Sequence, residues 1–351
     1  MTAAGIGIPT HVAGPEGDTH MSKTTGRATN ALTRRATVLG APLLGLGAAI
    51  ATVRPARAQD VVRIALPTKT YFPTVVTEAA VRQKLFAKEG IGVEPTVFRG
   101  GAECIEAMAA GAADLSLGGA PVVGVAVKKG VGMKLIATAA RGYMGWYLLV
   151  RTDSPVTKVE QLSGKKVGIT SAGSGSDFLA LWTNEQYKTP FTRVPLGGGG
   201  LVPNLRSGNV DAVVLYSPLS FEMMQAKQAR MLIDFSAEVP AHMAGGWVAT
   251  QKLIDEKPQV VQKAMNALYG GLGWLRGNRD AAIALIVEVD EIKPEIAAME
   301  YENTILKLAT DATLKPDEMQ RAMEMGKLIG ITDTAPIDQL TTDRFMPVPT
   351  T

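Results

Sequence analysis

The chain from residue 59 onward alternates short apolar, β-branched runs with longer segments of helical character. Val61–Leu66 is the first short run, 74–89 is the helical segment behind it, and 92–98 is the second short run. A further helical segment, 102–110, leads into the third run, 113–117. Buried strands that alternate with helices are typical of α/β proteins. The pattern therefore predicts an α/β fold that begins in the order strand, helix, strand, helix, strand.

An internal repeat divides this pattern into two similar halves, because residues 99–136 and 196–233 match at a constant offset of 97. The matching residues are Gly101, Gly111, Asp114, Pro121, Leu135 and Ile136 in the first half and Gly198, Gly208, Asp211, Pro218, Leu232 and Ile233 in the second. Glycine ends a helix by adopting a left-handed conformation, and proline suits the first turn of the next helix. Chance similarity is one explanation. Two lobes of the same architecture are the other, and we adopt that interpretation.

Two apolar segments that both open with Gly-Trp, 145–150 and 246–250, connect the halves and are predicted to be crossover strands. The predicted first lobe is 59–145 plus 246–351, and the predicted second lobe is 146–245. From 252 to 330 the pattern is helical, and we expect this part to pack mainly on the first lobe.

The first 58 residues read as an export signal and not as part of the fold. Paired arginines at 34–35 precede an uncharged, apolar stretch, 38–53, that is shorter than the roughly 20 residues needed to span a bilayer. Alanines after this stretch meet the small-x-small requirement of a signal peptidase, so we predict cleavage after Ala58. The paired arginines resemble a twin-arginine signal, with a Sec signal as the alternative, and both predict a periplasmic protein. Met21 is an alternative start.

Charge and reactive residues narrow the classes of function. The chain has 36 basic and 33 acidic residues, of which six and two lie in the first 58, so the remainder is close to neutral. A nucleic-acid binder needs a basic field over its body, which this sequence lacks. The single cysteine, Cys104, excludes an intramolecular disulfide and a CxxC motif, and His242 is the only histidine after residue 58. We therefore predict no metal, no cofactor and no Cys-His catalytic pair.

Four segments in order resemble one protein family: AAGAADLSLGGAP at 109–121, LSGKKVGI at 162–169, GSG at 173–175 and SGNVDAVV at 207–214. They resemble the binding proteins of the nitrate, sulfonate, taurine and thiamine-precursor uptake group, the NMT1-like family. The resemblance spans roughly the whole mature chain and implies a type II periplasmic-binding-protein fold, with two Rossmann-like lobes joined by two crossover strands. It also implies capture of a small molecule outside the cytoplasm and delivery to the permease and ATPase of an ABC importer. Ser217 departs from the family pattern, in which an acidic residue provides a counter-charge for an amine.

Loops that leave the carboxyl ends of the strands are the predicted ligand site, because ligands of such folds bind there. Glycine-rich loops and helix N-termini present unpaired backbone N–H groups, which favour an anion. The candidate ligand-binding residues are Lys69, Thr70, Tyr71, Phe72, Gly101, Ala102, Gly119, Ala120, Pro121, Arg141, Ser171, Ser174, Gly175, Ser176, Tyr216 and Trp247. We expect Lys69 and Arg141 to supply positive charge. Tight turns are the alternative for the glycine loops, and a surface position or an ion pair between the lobes is the alternative for Arg141.

Aromatic candidates indicate the body of the ligand. We expect Tyr71, Phe72, Tyr143 and Trp247 to pack against an apolar or aromatic part, while Trp146 and Trp247 also suit core or hinge packing. We therefore expect a small organic anion, a sulfonate or a carboxylate, bound by closure of the two lobes. The alternatives are a ligand-sensing periplasmic subunit of a membrane receptor and a thiamine-precursor enzyme of the same fold, whose cysteine-rich motif this sequence lacks.

Overall fold

The computed structural model describes residues 59–346 and residue 348. The predicted export signal, with its cleavage after Ala58, lies outside these residues and stays a prediction. None of the helices in the described part is both long and apolar enough to cross a membrane.

Five strands of the described part form the first sheet: β1 (Val61–Leu66), β2 (Gly92–Val97), β3 (Leu115–Gly118), β4 (Met133–Arg141) and β10 (Met243–Thr250). Their order across the sheet is β2-β1-β3-β10-β4. β1 is parallel to β2 and β3, whereas β10 is antiparallel to β3 and β4. The apolar runs that predicted β1, β3, β4 and β10 are mostly buried, as expected for a sheet covered by helices, whereas the edge strand β2 is largely exposed.

Five further strands of residues 59–346 form the second sheet: β5 (Tyr147–Arg151), β6 (Lys166–Ile169), β7 (Thr192–Pro195), β8 (Ala212–Leu215) and β9 (Ala229–Asp234). Their order is β7-β6-β8-β5-β9, and β5 is antiparallel to β8 and β9. Both sheets thus have the same order, and in each the antiparallel strand is the one that the chain reaches by crossing from the other sheet. The predicted α/β fold of two similar lobes joined by crossover strands is confirmed.

Helices flank both sheets. Those of the first lobe are α1 (Phe72–Arg82), α2 (Leu85–Lys88), α3 (Gly101–Ala109) and α4 (Ala120–Lys128). Those of the second lobe are α5 (Gly175–Tyr187), α6 (Leu201–Ser207), α7 (Leu219–Gln225) and α8 (Phe235–Glu238). After β10 come α9 (Gln251–Glu256), α10 (Pro258–Gly277), α11 (Arg279–Asp290), α12 (Pro294–Asn303), α13 (Pro316–Leu328) and α14 (Ile337–Leu340). The single helix predicted over 74–89 is instead α1 and α2, because Lys84 adopts a left-handed φ of 57° between them.

The repeated glycine and aspartate have the same structural role in both lobes. Gly111 and Gly208 follow a helix with φ of 72° and 76°, a conformation that disfavours residues with a Cβ. Asp114 then accepts the backbone N–H of Arg63 at 3.0 Å, and Asp211 accepts that of Lys166 at 2.9 Å. Each aspartate lies just before a strand, β3 or β8, and ties it to the parallel neighbour β1 or β6.

The C-terminal helices contact both lobes. Most of their apolar residues join the core of the first lobe, where α10 packs on α1. However, α12 contacts α7 and α13 contacts α5, and Met325 of α13 belongs to the second core. The expectation of packing mainly on the first lobe therefore omits these bridges between the lobes.

The two lobes also touch directly across the cleft. The backbone N–H of Gly198 in the second lobe donates to the carbonyl of Arg99 in the first at 2.9 Å. Gly100 lies so close to the second lobe that a Cβ there would stand 2.6 Å from Ser171 Oγ. At another point, the hydroxyls of Ser217 and Thr304 lie 2.8 Å apart. The cleft is therefore narrowed by direct contacts on more than one side.

Candidate functional site

A cavity of about 90 Å³ lies between the lobes of the described chain. The loops after β1 and β3 and the start of α3 line it from the first lobe. The loop after β6, the start of α5 and the end of β8 line it from the second lobe. Residues of the two crossover segments, 143–146 and 242–245, contribute as well.

Part of the predicted site faces this cavity. The predicted residues that line it are Tyr71, Gly101, Gly119, Pro121, Ser174, Gly175 and Tyr216. They come from both lobes and from the strand ends where ligands of α/β folds bind. The structure therefore brings these residues together around one space, and their contact with a ligand stays a prediction.

The two cations that we expected to hold an anion do not line the cavity. Lys69 Nζ lies 2.6 Å from Glu291 Oε1 in an exposed ion pair. Arg141 donates to Glu318 Oε2 at 2.6 Å and to Asp311 Oδ1 at 2.7 Å. Because these carboxylates already pair with both side chains, the expectation of a charged ligand grip is not supported. Arg141 thus forms an ion pair, but both of its partners belong to the predicted first lobe, so the pair does not connect the lobes.

The remaining predicted residues do not line the cavity: Thr70, Phe72, Ala102, Ala120, Ser171, Ser176 and Trp247. Phe72 and Trp247 belong to the first core, so the core-packing alternative describes Trp247. Ala120 is fully buried in the first turn of α4. Ser176 supports the site indirectly, since its Oγ accepts the backbone N–H of Thr170 at 2.8 Å.

Several residues that line the cavity were not among the predicted ligand contacts. They include Pro67, Thr68, Ile105, Trp146, Thr170, Phe178 and His242. Tyr143, which we expected to pack an apolar body, also lines it. Trp146 and His242 lie at the starts of the two crossovers, and the fold, not a local sequence pattern, brings them to the cavity. Phe178 lies one turn into α5, where helical spacing also suits a core residue.

Helix N-termini from both lobes converge on the cavity. Gly101 begins α3, Gly119 caps α4 and Ser174 caps α5, and each of these residues lines the cavity. Ser174 Oγ accepts the N–H of Asp177 at 3.3 Å and lies 2.8 Å from Thr170 Oγ1. These bonds fix the loop before α5, so its free backbone donors keep a constant direction.

Aromatic rings form a continuous wall of the cavity. Tyr71, Trp146 and Tyr216 lie with ring centroids 5.2 to 5.5 Å apart. Tyr143 and Phe178 lie 5.4 and 6.3 Å from the His242 ring, and Tyr143 lies 6.1 Å from Trp146. Rings at these distances and tilts hold one another in place. The wall is therefore a rigid apolar surface.

Two buried hydroxyls in the lining have no hydrogen-bond partner among the described residues. Thr68 is 6% exposed and Tyr216 is 1% exposed, and neither Thr68 Oγ1 nor Tyr216 OH has a bond of good geometry. The two groups lie next to each other, and a Cβ on Gly198 would meet both residues at 2.6 Å. A buried hydroxyl without a partner is costly, so this pair favours a polar occupant.

The cavity lining has no permanently charged side chain among the described residues, since Arg, Lys, Asp and Glu are absent from it. His242 is buried, and its Nδ1–H donates to the carbonyl of Pro240 at 2.7 Å. Burial lowers the pKa of His242, so the neutral imidazole is favoured. Burial also raises the pKa of the Tyr71 and Tyr143 hydroxyls, which therefore stay neutral.

Other reactive groups do not meet at this site. Cys104 is buried outside the cavity lining, and burial raises its pKa to about 12. Within residues 59–346 and 348, no group of three or more His, Cys, Asp or Glu side chains is placed to hold a metal ion. The cavity is therefore built for contact by neutral groups.

Residues 77–282 match the model of a protein family described as NMT1/THI5 like. The chain belongs to the NMT1/THI5-like family. The resemblance seen in the sequence is thereby confirmed.

Individual relatives of this NMT1/THI5-like chain are distant. A Bacillus subtilis (strain 168) protein named for binding aliphatic sulfonates is 25% identical over 223 residues, which cover 62% of this chain and 66% of that protein. A 2'-hydroxybiphenyl-2-sulfinate desulfinase of Rhodococcus erythropolis is 24% identical over 202 residues, which cover 42% of this chain and 54% of that enzyme. The chain thus spans less than two thirds of the length of both relatives.

A solved structure shares the fold. The alkanesulfonate-binding protein of Xanthomonas axonopodis pv. citri bound to MOPS superposes with a TM-score of 0.70 at 17% identity, covering 80% of this chain and 98% of that chain. This likeness confirms the predicted periplasmic-binding-protein fold for the NMT1/THI5-like chain.

Proposed function

We propose that the protein is an extracytoplasmic solute-binding protein that captures a small organic anion, a sulfonate or a carboxylate, and delivers it to an ABC importer. The observation that carries this proposal is the cavity between the lobes, with helix N-termini from both sides and two unpartnered hydroxyls in its lining. Membership of the NMT1/THI5-like family supports it.

An anion suits the cavity because helix N-termini and hydroxyls in its lining can donate to it. Each helix N-terminus favours a negative charge by about 0.3–1 kcal/mol, so α3, α4 and α5 together provide a modest attraction. The hydroxyls of Thr68 and Tyr216 add directed hydrogen bonds, which are stronger when the acceptor is charged. The absence of lysine and arginine from the described lining means that backbone and hydroxyl donors carry the recognition.

Closure of the lobes is the proposed mechanism. Ligand contacts from both lobes stabilise the form in which Gly198 bonds to Arg99 and Gly100 approaches Ser171. The crossover strands β5 and β10 provide the hinge, and the closed form is the one that the permease recognises. Export by the predicted signal would place the protein in the periplasm, where this exchange occurs.

Relatives support binding more than catalysis. One relative is named for binding aliphatic sulfonates, and a solved neighbour is an alkanesulfonate-binding protein. Another relative is a desulfinase, but Cys104 lies outside the cavity lining and its raised pKa disfavours the thiolate. Thiol chemistry is therefore not supported at this site.

Ligand discovery tests the proposal. Native mass spectrometry of the freshly purified protein should show a bound small molecule, and a thermal-shift panel of organic sulfonates and carboxylates should identify stabilising anions. A ligand at 100 times its dissociation constant is expected to add about 2.7 kcal/mol to the free energy of unfolding. No stabilisation by any member of the panel would contradict the proposal.

The variant Tyr216→Phe tests whether the anion binds in the cavity. It removes a hydroxyl that bonds to no described residue, so folding stability should hardly change. Affinity for the bound anion should fall about tenfold in calorimetry, because a hydrogen bond to a charged acceptor is lost. Tyr187→Phe is the matched control, since its hydroxyl bonds to exposed Glu238 away from the cavity. Delivery is tested by ligand-dependent stimulation of ATP hydrolysis in the reconstituted importer.

A further inference from the structure

The size of the cavity limits its occupant. A single water needs about 10–15 Å³ of such space, so about 90 Å³ holds roughly six to nine water-sized groups. The upper end of that range fits a ligand of about nine non-hydrogen atoms. It excludes large multi-ring solutes in the conformation described, because the lobes already touch beside the cavity at Gly198 and Arg99.

The shape of the wall favours a flat ligand body. Tyr71, Trp146 and Tyr216 contact one another, and the ring of Tyr143 links them to Phe178 and His242. Aromatic rings gain from contact with other rings beyond the area that they bury. A flexible alkyl chain in the same space loses rotational freedom on binding, whereas a planar ring does not.

The charge pattern favours one negative group and no positive group. An anion finds donors at the helix N-termini and at the hydroxyls of Thr68 and Tyr216. An ammonium group would find no carboxylate among the described lining residues. The buried carboxylates Asp177, Asp290 and Glu300 do not line the cavity, and Asp177 already pairs with Arg193. An amino-sulfonate or amino acid would therefore bury an unpaired cation.

From the size, the wall and the charge pattern we infer that the ligand is a compact aromatic acid of the size of benzoate or benzenesulfonate, with its ring against the aromatic wall and its acid group at the helix N-termini. This inference rests on the proposed function and names the ligand class of the same cavity. It assigns Phe178 and Trp146 to ligand selection, since their rings line the cavity and belong to the wall.

Matched ligand pairs test the inference by calorimetry with the purified full chain. Benzoate is compared with cyclohexanecarboxylate, which has the same acid group and a similar volume but no aromatic ring. Benzenesulfonate is compared with hexanesulfonate and with taurine. We expect the aromatic member to bind about fivefold tighter or better in each pair, and taurine to bind weakest. Benzamide, which lacks the charge, should bind at least about tenfold more weakly than benzoate.

A pair of phenylalanine variants shows whether the wall makes the selection. Phe178 and Phe191 both belong to the second core and are 6% and 8% exposed, but only Phe178 lines the described cavity. Phe178→Leu should reduce the preference for benzoate over cyclohexanecarboxylate towards equal binding. Phe191→Leu should keep the preference, although both variants lose similar core packing.

The outcomes separate this inference from the proposed function. Equal or tighter binding of cyclohexanecarboxylate and hexanesulfonate would overturn the aromatic class and leave anion capture intact. A preference that Phe178→Leu leaves unchanged while the variant stays folded would also overturn it. If the wild type binds none of the aromatic, aliphatic or amino anions, the proposed function fails as well.

Discussion

Two regions of the described chain differ in whether their buried carboxylates have partners. In the second lobe, Asp177 at the start of α5 accepts the backbone N–H of Gly173 at 2.8 Å and pairs with Arg193. In α11 and α12, Asp290 and Glu300 are 4% and 1% exposed, and neither makes a hydrogen bond of good geometry with a described residue. The first arrangement fixes a loop of the cavity, and the second leaves two acids whose charge the fold does not compensate.

The consequence for the unpartnered acids is a shift in protonation. Burial raises the pKa of Asp290 to about 8, and the nearby Glu300 adds to the effect, which Lys69 opposes. Burial raises the pKa of Glu300 to about 7, against the opposing influence of the Ser217 and Thr304 hydroxyls. The difference between the regions teaches that an acid with a partner fixes a loop of the cavity, whereas these two make folding sensitive to pH.

Removing the two unpartnered acids should have the largest effect. Between pH 6 and 8 the folded protein retains protons that the unfolded chain has already released, so the free energy of unfolding should fall as pH rises. Above the folded pKa values the decline should level off. From pH 6 to pH 8 the free energy of unfolding should fall by about 3 kcal/mol more in the wild type than in the double variant Asp290→Asn, Glu300→Gln. Urea denaturation at each pH measures this difference.

The control for this experiment is Glu291→Gln, which removes an exposed carboxylate next to Asp290. His242 acts in the opposite direction, because its lowered pKa makes stability fall as pH decreases below 6.5. The comparison of wild type and double variant cancels that contribution. Equal slopes for the two proteins would show that the buried acids do not hold protons.

Removing the partner of Asp177 should have the next largest effect on the free energy of unfolding. Arg193→Leu leaves Asp177 buried beside Gly173 with its charge unpaired, and we expect a loss of about 2 kcal/mol in the free energy of unfolding at pH 7. Lys188→Met removes an exposed partner of Glu185 on the same helix and should cost less than about 1 kcal/mol. Similar losses in both variants would mean that burial of Asp177 does not matter.

The repeat and the strand order could be predicted because they depend on local chemistry. Gly111 and Gly208 mark left-handed helix ends, and Asp114 and Asp211 bond to the neighbouring strand in the same way. These helix ends and hydrogen bonds depend on only a few adjacent residues. The left-handed break at Lys84 could not be predicted, because lysine has no preference for that conformation.

The candidate site was predictable only in part, because its remaining features depend on distant residues. Whether Arg141 meets a ligand or a carboxylate is decided by Asp311 and Glu318, far away in the chain. Trp146 and His242 line the cavity because the crossovers bring them there, which no local pattern indicates. The loops with glycine and serine were predictable, since helix N-termini need those residues.

A substitution at Gly198, where the two lobes touch, should have a smaller effect, and it should change ligand affinity more than folding stability. A Cβ on Gly198 would stand 2.6 Å from Thr68 Cγ2 and Tyr216 OH, so Gly198→Ala forces the lobes apart. A Cβ on the neighbouring Gly199 meets no atom within 4 Å, which makes Gly199→Ala the matched control. We expect Gly198→Ala to weaken anion binding about tenfold, or about 1.4 kcal/mol, in calorimetry. Unchanged affinity would show that the cavity does not need this contact.

His242 is a buried titratable group with only half of its hydrogen-bonding capacity used, so it lies between the partnered Asp177 and the unpartnered Asp290 and Glu300. Its Nδ1–H bonds to Pro240, while Nε2 has no hydrogen bond to a described residue. The charged groups that act on it are Arg321 and Glu318 of α13, which oppose each other. An anion in the cavity favours the protonated imidazole, so affinity should rise as pH falls from 7.5 to 6, by roughly threefold. Benzenesulfonate stays ionised over this range, so calorimetry with it isolates the protein group. His242→Phe should remove the pH dependence, and an unaltered dependence in that variant would assign the proton to another group.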